Sequence, residues 1–332
     1  MQSYDSSHIR KIRLKSRLIK ICLLLFLVLI LLFPSVAFSG ARNGLLLWWD
    51  TLLPTLLPFM IISSLIVRLR ITKILSSLLY PLFRLFLPIS KEGCYPVFIG
   101  FLAGYPVGAK TTADLRYDRV ICTKEAQMLC AFSNNASPMF VLSYIASIQL
   151  ASPKVGLPLL LILYTSSYLS SMLWHVLLSK KECSFLPTVK ATATEDKLIT
   201  TSPRFEFTML DESILNAFEV VTKVGGYIVL FSVLASFITN LPIPFGTGVA
   251  YLTGILEITT GIHNISCLTL TLDLKFILIA TITAFGGLSG FAQTKSVISG
   301  CNLSSTHYLV CKFMSACIAL VLSIGYTYFL LA

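Results

Sequence analysis

The segment Phe98-Ile-Gly-Phe-Leu-Ala-Gly-Tyr-Pro-Val-Gly-Ala-Lys110 is apolar, but its composition is not that of an ordinary membrane helix. Three glycines, a proline and a lysine fall between its third residue and its last. Glycine permits close backbone contact and positive φ, and proline removes an N–H donor. In a bilayer, the backbone groups freed by such a break must be satisfied by protein or by water in a cavity. The segment is therefore predicted to be a broken or re-entrant helix that lines an interior site.

A related segment, Gly286-Gly-Leu-Ser-Gly-Phe291, lies a little more than half the chain length further on. It matches Gly100-Phe-Leu-Ala-Gly-Tyr105 in the pattern G-x-L-[A/S]-G-[Y/F], and Lys295 follows it much as Lys110 follows the first copy. Two glycine-interrupted apolar segments in corresponding halves are typical of transporters whose binding site lies between internal repeats. The alternative is a pair of unrelated glycine-rich segments that serve helix packing.

The composition is that of a polytopic membrane protein. Of the 332 residues, 55% are hydrophobic and 12% are charged, and the mean hydropathy is +0.82. Because Lys and Arg beside membrane spans set orientation, the net charge of +11 is assigned to topology, and no nucleic-acid partner is expected. The nine cysteines form no C-x-x-C pair and no zinc-type spacing with histidine. No metal site and no cofactor is therefore predicted.

Apolar runs and polar interruptions divide the chain into four parts. Residues 1–39 comprise a basic N-terminus and a first transmembrane helix, which is expected to stay uncleaved because its apolar run is long for a signal peptide. Residues 40–178 and 213–332 are predicted to form two related halves, and the polar residues 179–212 are predicted to form a cytoplasmic linker. The expected fold is all-α, with about eight spanning or re-entrant segments and with the two halves inverted relative to each other.

Three motifs give the chain a resemblance to a known family: the segment 98–110, Phe132-Ser-Asn-Asn-Ala-Ser-Pro-Met-Phe140, and Gly286-Gly-Leu-Ser-Gly-Phe-Ala-Gln293. Over about residues 40–330, the chain resembles the YlbJ family of sporulation integral membrane proteins, within the wider nucleoside-recognition or Gate domain group. The resemblance implies an endospore-forming bacterium and a role in spore maturation. It also implies transport of dipicolinic acid across the outer forespore membrane. Further copies of the chain, or other sporulation membrane proteins, are the protein partners it suggests.

A carrier of a small anion needs fixed positive charge and N–H donors that face a cavity, and the N-termini of half-helices supply such donors. Lys110 follows the first break, and Asn134 and Asn135 are costly in hydrocarbon unless they have partners. The alternatives are a topology signal for the lysine and interhelical hydrogen bonding for the amides. The predicted solute-binding residues are Gly100, Gly104, Tyr105, Pro106, Gly108, Lys110, Asn134, Asn135, Ser137, Gly286, Gly287, Ser289, Gly290, Gln293 and Lys295.

Glu257 is a carboxylate within an apolar run of the second half. An ionisable group inside a membrane segment is a functional candidate by default. The glutamate is predicted either to carry a coupling proton or to pair with Lys295 or Lys110.

Two other functions fit part of the sequence. Gly287-Leu-Ser-Gly290 has the G-x-S-G form of rhomboid intramembrane proteases, with His307 or His263 as the base. However, Ala103 stands in the first copy where Ser289 stands in the second, so the glycine pattern does not depend on a nucleophile. The chain also has neither an H-E-x-x-H motif nor a P-loop. A transporter and not an enzyme is therefore expected, with a non-transporting scaffold for spore assembly as the alternative.

The density of Lys and Arg places the N-terminus and the linker 179–212 in the cytoplasm. With Thr192→Cys, an impermeant thiol reagent should label the new cysteine only after the membrane has been opened, and the parent chain without that cysteine is the control. Labelling in intact cells would overturn the predicted topology.

Overall fold

A computed structural model describes residues 6–69, 71–178, 205–241 and 246–331. These residues form helices and short connections, with no strand among them, so the all-α polytopic fold is confirmed. In this part of the chain, four helical segments are long and apolar enough to cross a membrane: Pro153–Trp174, Phe207–Thr239, Leu272–Val297 and Ser305–Phe329. Most of the predicted linker, including Thr192, lies outside the described residues.

The N-terminal helices differ from the single span expected there. Helix α1 (Ser6–Leu32) ends before Pro34, and α2 (Pro34–Leu47) leaves it at a bend of 104°. The expectation that one apolar span continues to Phe38 is therefore wrong. The reason is local, because proline lacks an N–H and disfavours helical geometry in the residue before it. The boundary predicted after residue 39 falls inside α2.

Helix α2 continues through a π-helical turn, Trp48–Leu52, into α3 (Leu53–Arg68). Along this path α2 and α3 pack against α9, the first helix of the second half (Phe207–Thr239). The Trp48 indole donates a hydrogen bond of 2.9 Å to the carbonyl of Val221 on that helix. Helix α4 (Thr72–Phe86) follows, with a strongly one-sided apolar face.

The glycine-rich segment of the first half is broken, as its composition predicts. Helix α5 (Cys94–Ala103) and α6 (Val107–Tyr117) fold back on each other as a pair, and Gly104 between them has φ of 79°. A Cβ at Gly104 would also stand 2.8 Å from the Ser137 nitrogen. Only glycine takes both this conformation and this close contact without strain.

The next segment of the first half is also broken, where the sequence predicted one continuous span over 129–150. Helix α7 (Thr123–Phe132) stops, residues 133–137 are not helical, and a π-helical segment, Phe140–Gln149, follows. Pro138 and the two asparagines explain the break, since proline and local side-chain hydrogen bonds both compete with helix geometry. Helix α8 (Gly156–Leu178) closes this half.

The second half opens with one long helix. The sequence predicted an amphipathic segment over 214–223 followed by a separate span, but α9 runs without interruption for 33 residues. It begins at Phe207, so the last residues of the predicted linker are helical. The glycine pair Gly225-Gly226 beside the expected junction does not interrupt the helix.

The remaining helices repeat the order of the first half. Helices α10 (Thr247–Leu256) and α11 (Ile258–Ser266) pack on each other as a pair. Helices α12 (Leu272–Phe285) and α13 (Gly287–Val297) form one membrane-length segment that is interrupted at Gly286. Helix α14 (Ser305–Tyr326) ends in a π-helical turn, Thr327–Leu331.

Both halves thus contain a helix pair, an interrupted helical segment and a closing helix. In this order α5–α6 corresponds to α10–α11, and the break of α12–α13 corresponds to the break after α7. The two G-x-L-[A/S]-G-[Y/F] motifs therefore occupy different places in the repeated order. Their similarity reflects a shared need for glycine at a helix break, and the motif match is not an alignment of the two halves.

Two glycines of the α5–α6 pair hold it against the neighbouring break. A Cβ at Gly100 would lie 2.1 Å from the carbonyl oxygen of Ser133, and one at Gly108 would lie 2.2 Å from the same oxygen. The Ser133 backbone is therefore enclosed from both sides by surfaces that carry no side chain. This contact fixes the distance between the first two breaks.

Gly100→Ala should destabilise the protein by about 1–3 kcal/mol, because the backbones cannot separate without disturbing their packing. Gly226→Ala on α9 is the matched control, since a Cβ there meets nothing within 4 Å. The control should be neutral or slightly stabilising, because alanine favours a helix interior. Thermal unfolding of the purified proteins in detergent measures both, and equal stabilities would contradict the packing role.

Candidate functional site

In the described part of the chain, four helix breaks meet around a cavity of about 40 Å³. The first half contributes the turn between α5 and α6 and the break after α7. The second half contributes the turn between α10 and α11 and the break between α12 and α13, while α3 and α9 add apolar walls. The residues of the breaks that line this central cavity are Ala103, Gly104, Tyr105, Ala136, Ser137, Glu257, Ile258, Thr259, Gly286, Ser289, Gly290 and Gln293.

The start of α13 presents its first turn to the central cavity. Its N-cap residue, Gly286, has φ of 83° and provides no side-chain cap. A Cβ added at Gly286 or at Gly290 would meet nothing within 4 Å, so this face of the helix looks into open space. A helix N-terminus carries partial positive charge on its N–H groups and attracts polar or anionic groups.

Glu257 forms the turn between α10 and α11 and is 2% exposed. Its carboxylate accepts hydrogen bonds from the backbone N–H groups of Thr259, at 3.2 Å, and Thr260, at 2.7 Å. Both threonine hydroxyls donate to it as well. The negative charge therefore lies at the N-terminus of α11, where the helix dipole stabilises it.

The predicted pairing of Glu257 with a lysine is wrong. The Lys110 amine lies 2.9 Å from the Asp114 carboxylate, one turn further along α6. Lys295 is exposed and does not line the central cavity. The threonines beside Glu257 satisfy its oxygens locally, so the carboxylate needs no distant cation.

Lys110 also lies outside the central cavity, contrary to the prediction that it contacts solute between the two glycine-rich breaks. It borders two wider recesses, of about 310 Å³ and about 240 Å³. We name the second of these the vestibule; it is lined by charged residues and reaches Val224 and Gln293, which also line the central cavity. The Lys110 side chain does not reach the central cavity, because Lys110 lies more than one helical turn beyond the break.

Asn134 and Asn135 are buried behind the central cavity and do not line it. The Asn134 amide donates to the hydroxyls of Thr294 and Tyr308, each at 2.8 Å, and the Asn135 amide donates to the Phe132 carbonyl at 2.7 Å. The Asn135 carbonyl accepts the backbone N–H of Tyr105 at 2.8 Å. The two amides therefore brace the breaks, which is the interhelical alternative for these residues.

Lys312 is a residue that the sequence analysis missed. It lies on α14, is 3% exposed, and its amine donates to the Asn134 carbonyl and, at 2.8 Å, to the Asn135 side-chain oxygen. The sequence could have identified Lys312 as a functional candidate, because a lone lysine within the apolar run from Tyr308 onward is an intramembrane ionisable group.

The predicted site residues thus separate into two groups. Those that line the central cavity are Gly104, Tyr105, Ser137, Gly286, Ser289, Gly290 and Gln293, together with Glu257. Those that do not line it are Gly100, Pro106, Gly108, Lys110, Asn134, Asn135, Gly287 and Lys295. Most of the second group serve packing or bracing, since Gly287, for example, has φ of 68° and lies close to Ile258.

The G-x-S-G protease alternative finds no base beside its serine. The Ser289 hydroxyl accepts a hydrogen bond of 3.1 Å from the Gln293 amide, and no histidine is among the described residues that line the central cavity. The His307 ring packs against Trp174, and the His263 ring nitrogen contacts the Cys267 sulfur.

Comparison with known proteins adds an independent observation. The chain is 26% identical over 317 residues to the sporulation integral membrane protein YlbJ of Bacillus subtilis (strain 168), covering 87% of this chain and 77% of the relative. The chain is YlbJ-like. No family model and no solved structure matches it. The similarity supports the resemblance drawn from the three motifs, an integral membrane location, and a membrane-protein role in sporulation.

In this YlbJ-like chain, the hydroxyl of Tyr105 is buried at the central cavity and has no hydrogen-bond partner. Tyr105→Phe should therefore change the free energy of unfolding by less than about 0.5 kcal/mol. Tyr95→Phe is the matched control, because its hydroxyl bonds to Ser63 and its loss should cost about 1 kcal/mol. Thermal unfolding compares them, and a larger loss in Tyr105→Phe would show that its hydroxyl has a structural partner.

Proposed function

We propose that this protein is a secondary transporter, and not an enzyme, that moves a small polar or anionic solute through the site between the helix breaks. The observation that carries the proposal is the meeting of four breaks from both halves at one cavity, whose lining is mostly apolar but includes Glu257. Breaks inside a membrane are costly and persist where they line a cavity or bind a substrate. The chain has no nucleotide-binding motif, so a gradient or a partner protein supplies the driving force.

The size of the central cavity implies that it opens during transport. Its volume of about 40 Å³ holds a few water molecules at most, and a ring compound with two carboxylates needs far more space. The vestibule of about 240 Å³ shares Val224 and Gln293 with the central cavity. If Val224 and Gln293 moved apart, the vestibule and the central cavity would become continuous, and solute could pass between them.

The charges along this route suggest how an anion would be handled. Lys110 and Lys223 border the vestibule, where each is paired with a carboxylate, that of Asp114 or Glu219, so an entering anion would have to replace one of these partners. The central cavity has Glu257 and no lysine or arginine among its described lining residues. Two like charges about 4 Å apart repel by about 4 kcal/mol at an effective dielectric constant of 20. Uptake of a proton by Glu257 together with the solute would remove this repulsion, and this is the basis on which we propose the glutamate as the coupling group.

Dipicolinic acid is the substrate that we propose, moved across the outer forespore membrane. This choice comes from the family resemblance alone, and the name of the Bacillus subtilis relative supports only a role in sporulation. The residues are compatible with it, because carboxylate oxygens and a ring nitrogen can accept from the hydroxyls of Ser137 and Ser289 and from the first turn of α13.

Gly290→Leu should reduce the uptake of labelled dipicolinate into proteoliposomes at least tenfold, because a leucine side chain fills the central cavity. Gly226→Leu on the exposed side of α9 is the matched control and should transport like the parent protein. If the parent protein moves neither dipicolinate nor other small anions, the non-transporting scaffold is the better explanation.

Glu257→Gln should leave some solute movement but remove its dependence on a pH gradient, because an amide carries no proton between the two sides. Glu219→Gln, in the vestibule, is the control and should keep that dependence. Uptake is compared with and without an imposed pH gradient at equal protein content. Retained dependence in Glu257→Gln would exclude this glutamate as the coupling group.

A further inference from the structure

Lys312 is buried in α14, and its amine is directed at a helix break. The amine donates to the Asn134 carbonyl and to the Asn135 side-chain oxygen, and it lies 5.7 Å from the centre of the Tyr308 ring. Of the ion pairs in the described part of the chain, none includes this lysine. The other titratable groups that act on it are the thiols of Cys130 on α7 and Cys311 on α14.

The atoms around the amine are those that bind a cation without a counter-charge. The Asn134 carbonyl lies just beyond the C-terminus of α7, where a helix carries partial negative charge. The Asn135 oxygen is an amide oxygen, and the Asn134 side-chain oxygen is buried without a hydrogen-bond partner. Carbonyl oxygens of an unwound segment beside a half-helix C-terminus are the groups that hold a monovalent coupling ion in broken-helix transporters.

The two asparagines around the Lys312 amine also contact elements that line the central cavity. Asn135, which binds the amine through its side chain, accepts the N–H of Tyr105 through its backbone carbonyl. Asn134 donates to Thr294 on α13, so the same short segment contacts the broken helices of both halves. A cation at this position therefore links Tyr105 to α13, and both of these line the central cavity.

We infer that the Lys312 ammonium is a built-in monovalent cation. It occupies the position at the α7 break where other broken-helix proteins would bind a metal ion, and it positions Tyr105 and α13 around the site. The chain therefore needs no bound Na⁺ or K⁺ there. Lys312 is a positioning residue, since its contacts are with the break and not with the space where solute would lie.

The first test measures cation binding and does not require that the protein transports anything. Lys312→Ala leaves the oxygens of the break around an empty space of ammonium size. The purified variant should unfold at a lower temperature than the parent protein. When methylammonium or Na⁺ replaces choline at constant ionic strength, the unfolding temperature of this variant should rise by about 3 °C or more. The rise should level off as the cation concentration increases. The parent protein should unfold at the same temperature in all of these salts.

Lys275→Ala is the matched control, because the Lys275 amine also donates to a backbone carbonyl, that of Ser266, at 2.7 Å. That carbonyl lies away from the central cavity, so this variant should show no response to the choice of cation. If Lys312→Ala does not accumulate in membranes, Lys312→Ser, which also leaves this space open, takes its place. The unfolding temperature of the parent protein in the different salts also tests the inference, and this measurement needs no variant.

The second test rests on the proposed transport function. Flux of dipicolinate through the parent protein should be equal in Na⁺, K⁺ and choline media. Lys312→Ala should be slowed at least tenfold and partly restored by methylammonium. A parent protein stabilised by Na⁺ or K⁺ over choline, or a folded Lys312→Ala that responds to none of the cations, would overturn the inference. Absence of flux in every protein would count against the proposed function alone, because the unfolding measurements would still decide the role of Lys312.

Discussion

The requirement that every backbone polar group be satisfied inside a bilayer governs this structure. Four breaks in its described helices release N–H and C=O groups around one cavity, and two charged side chains satisfy several of them. Glu257 accepts from the N-terminus of α11, and Lys312 donates to the carbonyl beyond the C-terminus of α7. Each charge has the sign that the helix end favours. The structure can therefore hold both ionisable groups in its interior without pairing them with each other.

The N-terminus of α13 is treated differently from these two ends. Its cap residue, Gly286, has no side chain, and the adjoining face opens onto the central cavity. An end without a side-chain cap can offer its donors to a ligand, which is the basis of anion binding at helix N-termini. The central cavity is therefore lined both by an uncapped helix N-terminus, that of α13, and by Glu257, which caps α11.

Glycine serves two separate purposes in this fold. At Gly104 and Gly286 the backbone has positive φ, which permits the chain to turn at the break. At Gly100 and Gly108 the absence of a side chain admits the Ser133 carbonyl, so the broken segments can approach each other. A similar contact closes the α10–α11 pair, where a Cβ at Gly261 would stand 2.0 Å from the Gly254 Cα. The conformational glycines shape the cavity, while the packing glycines fix the walls behind it.

The sequence by itself determined the membrane class, the α-helical fold and the existence of a break at 98–110, because hydropathy, glycine and proline act locally. It also identified Glu257, Gly286 and Gln293, which do reach the central cavity. Tertiary structure decided which polar residues face that cavity, since Lys110 and Lys295 resemble site residues by position but point elsewhere. The role of Asn134 and Asn135 depended on Lys312, which lies far along the chain on α14 and contacts them only after folding. Local composition predicts where a helix must break, but the partners that satisfy the freed groups come from distant segments, and only packing brings them together.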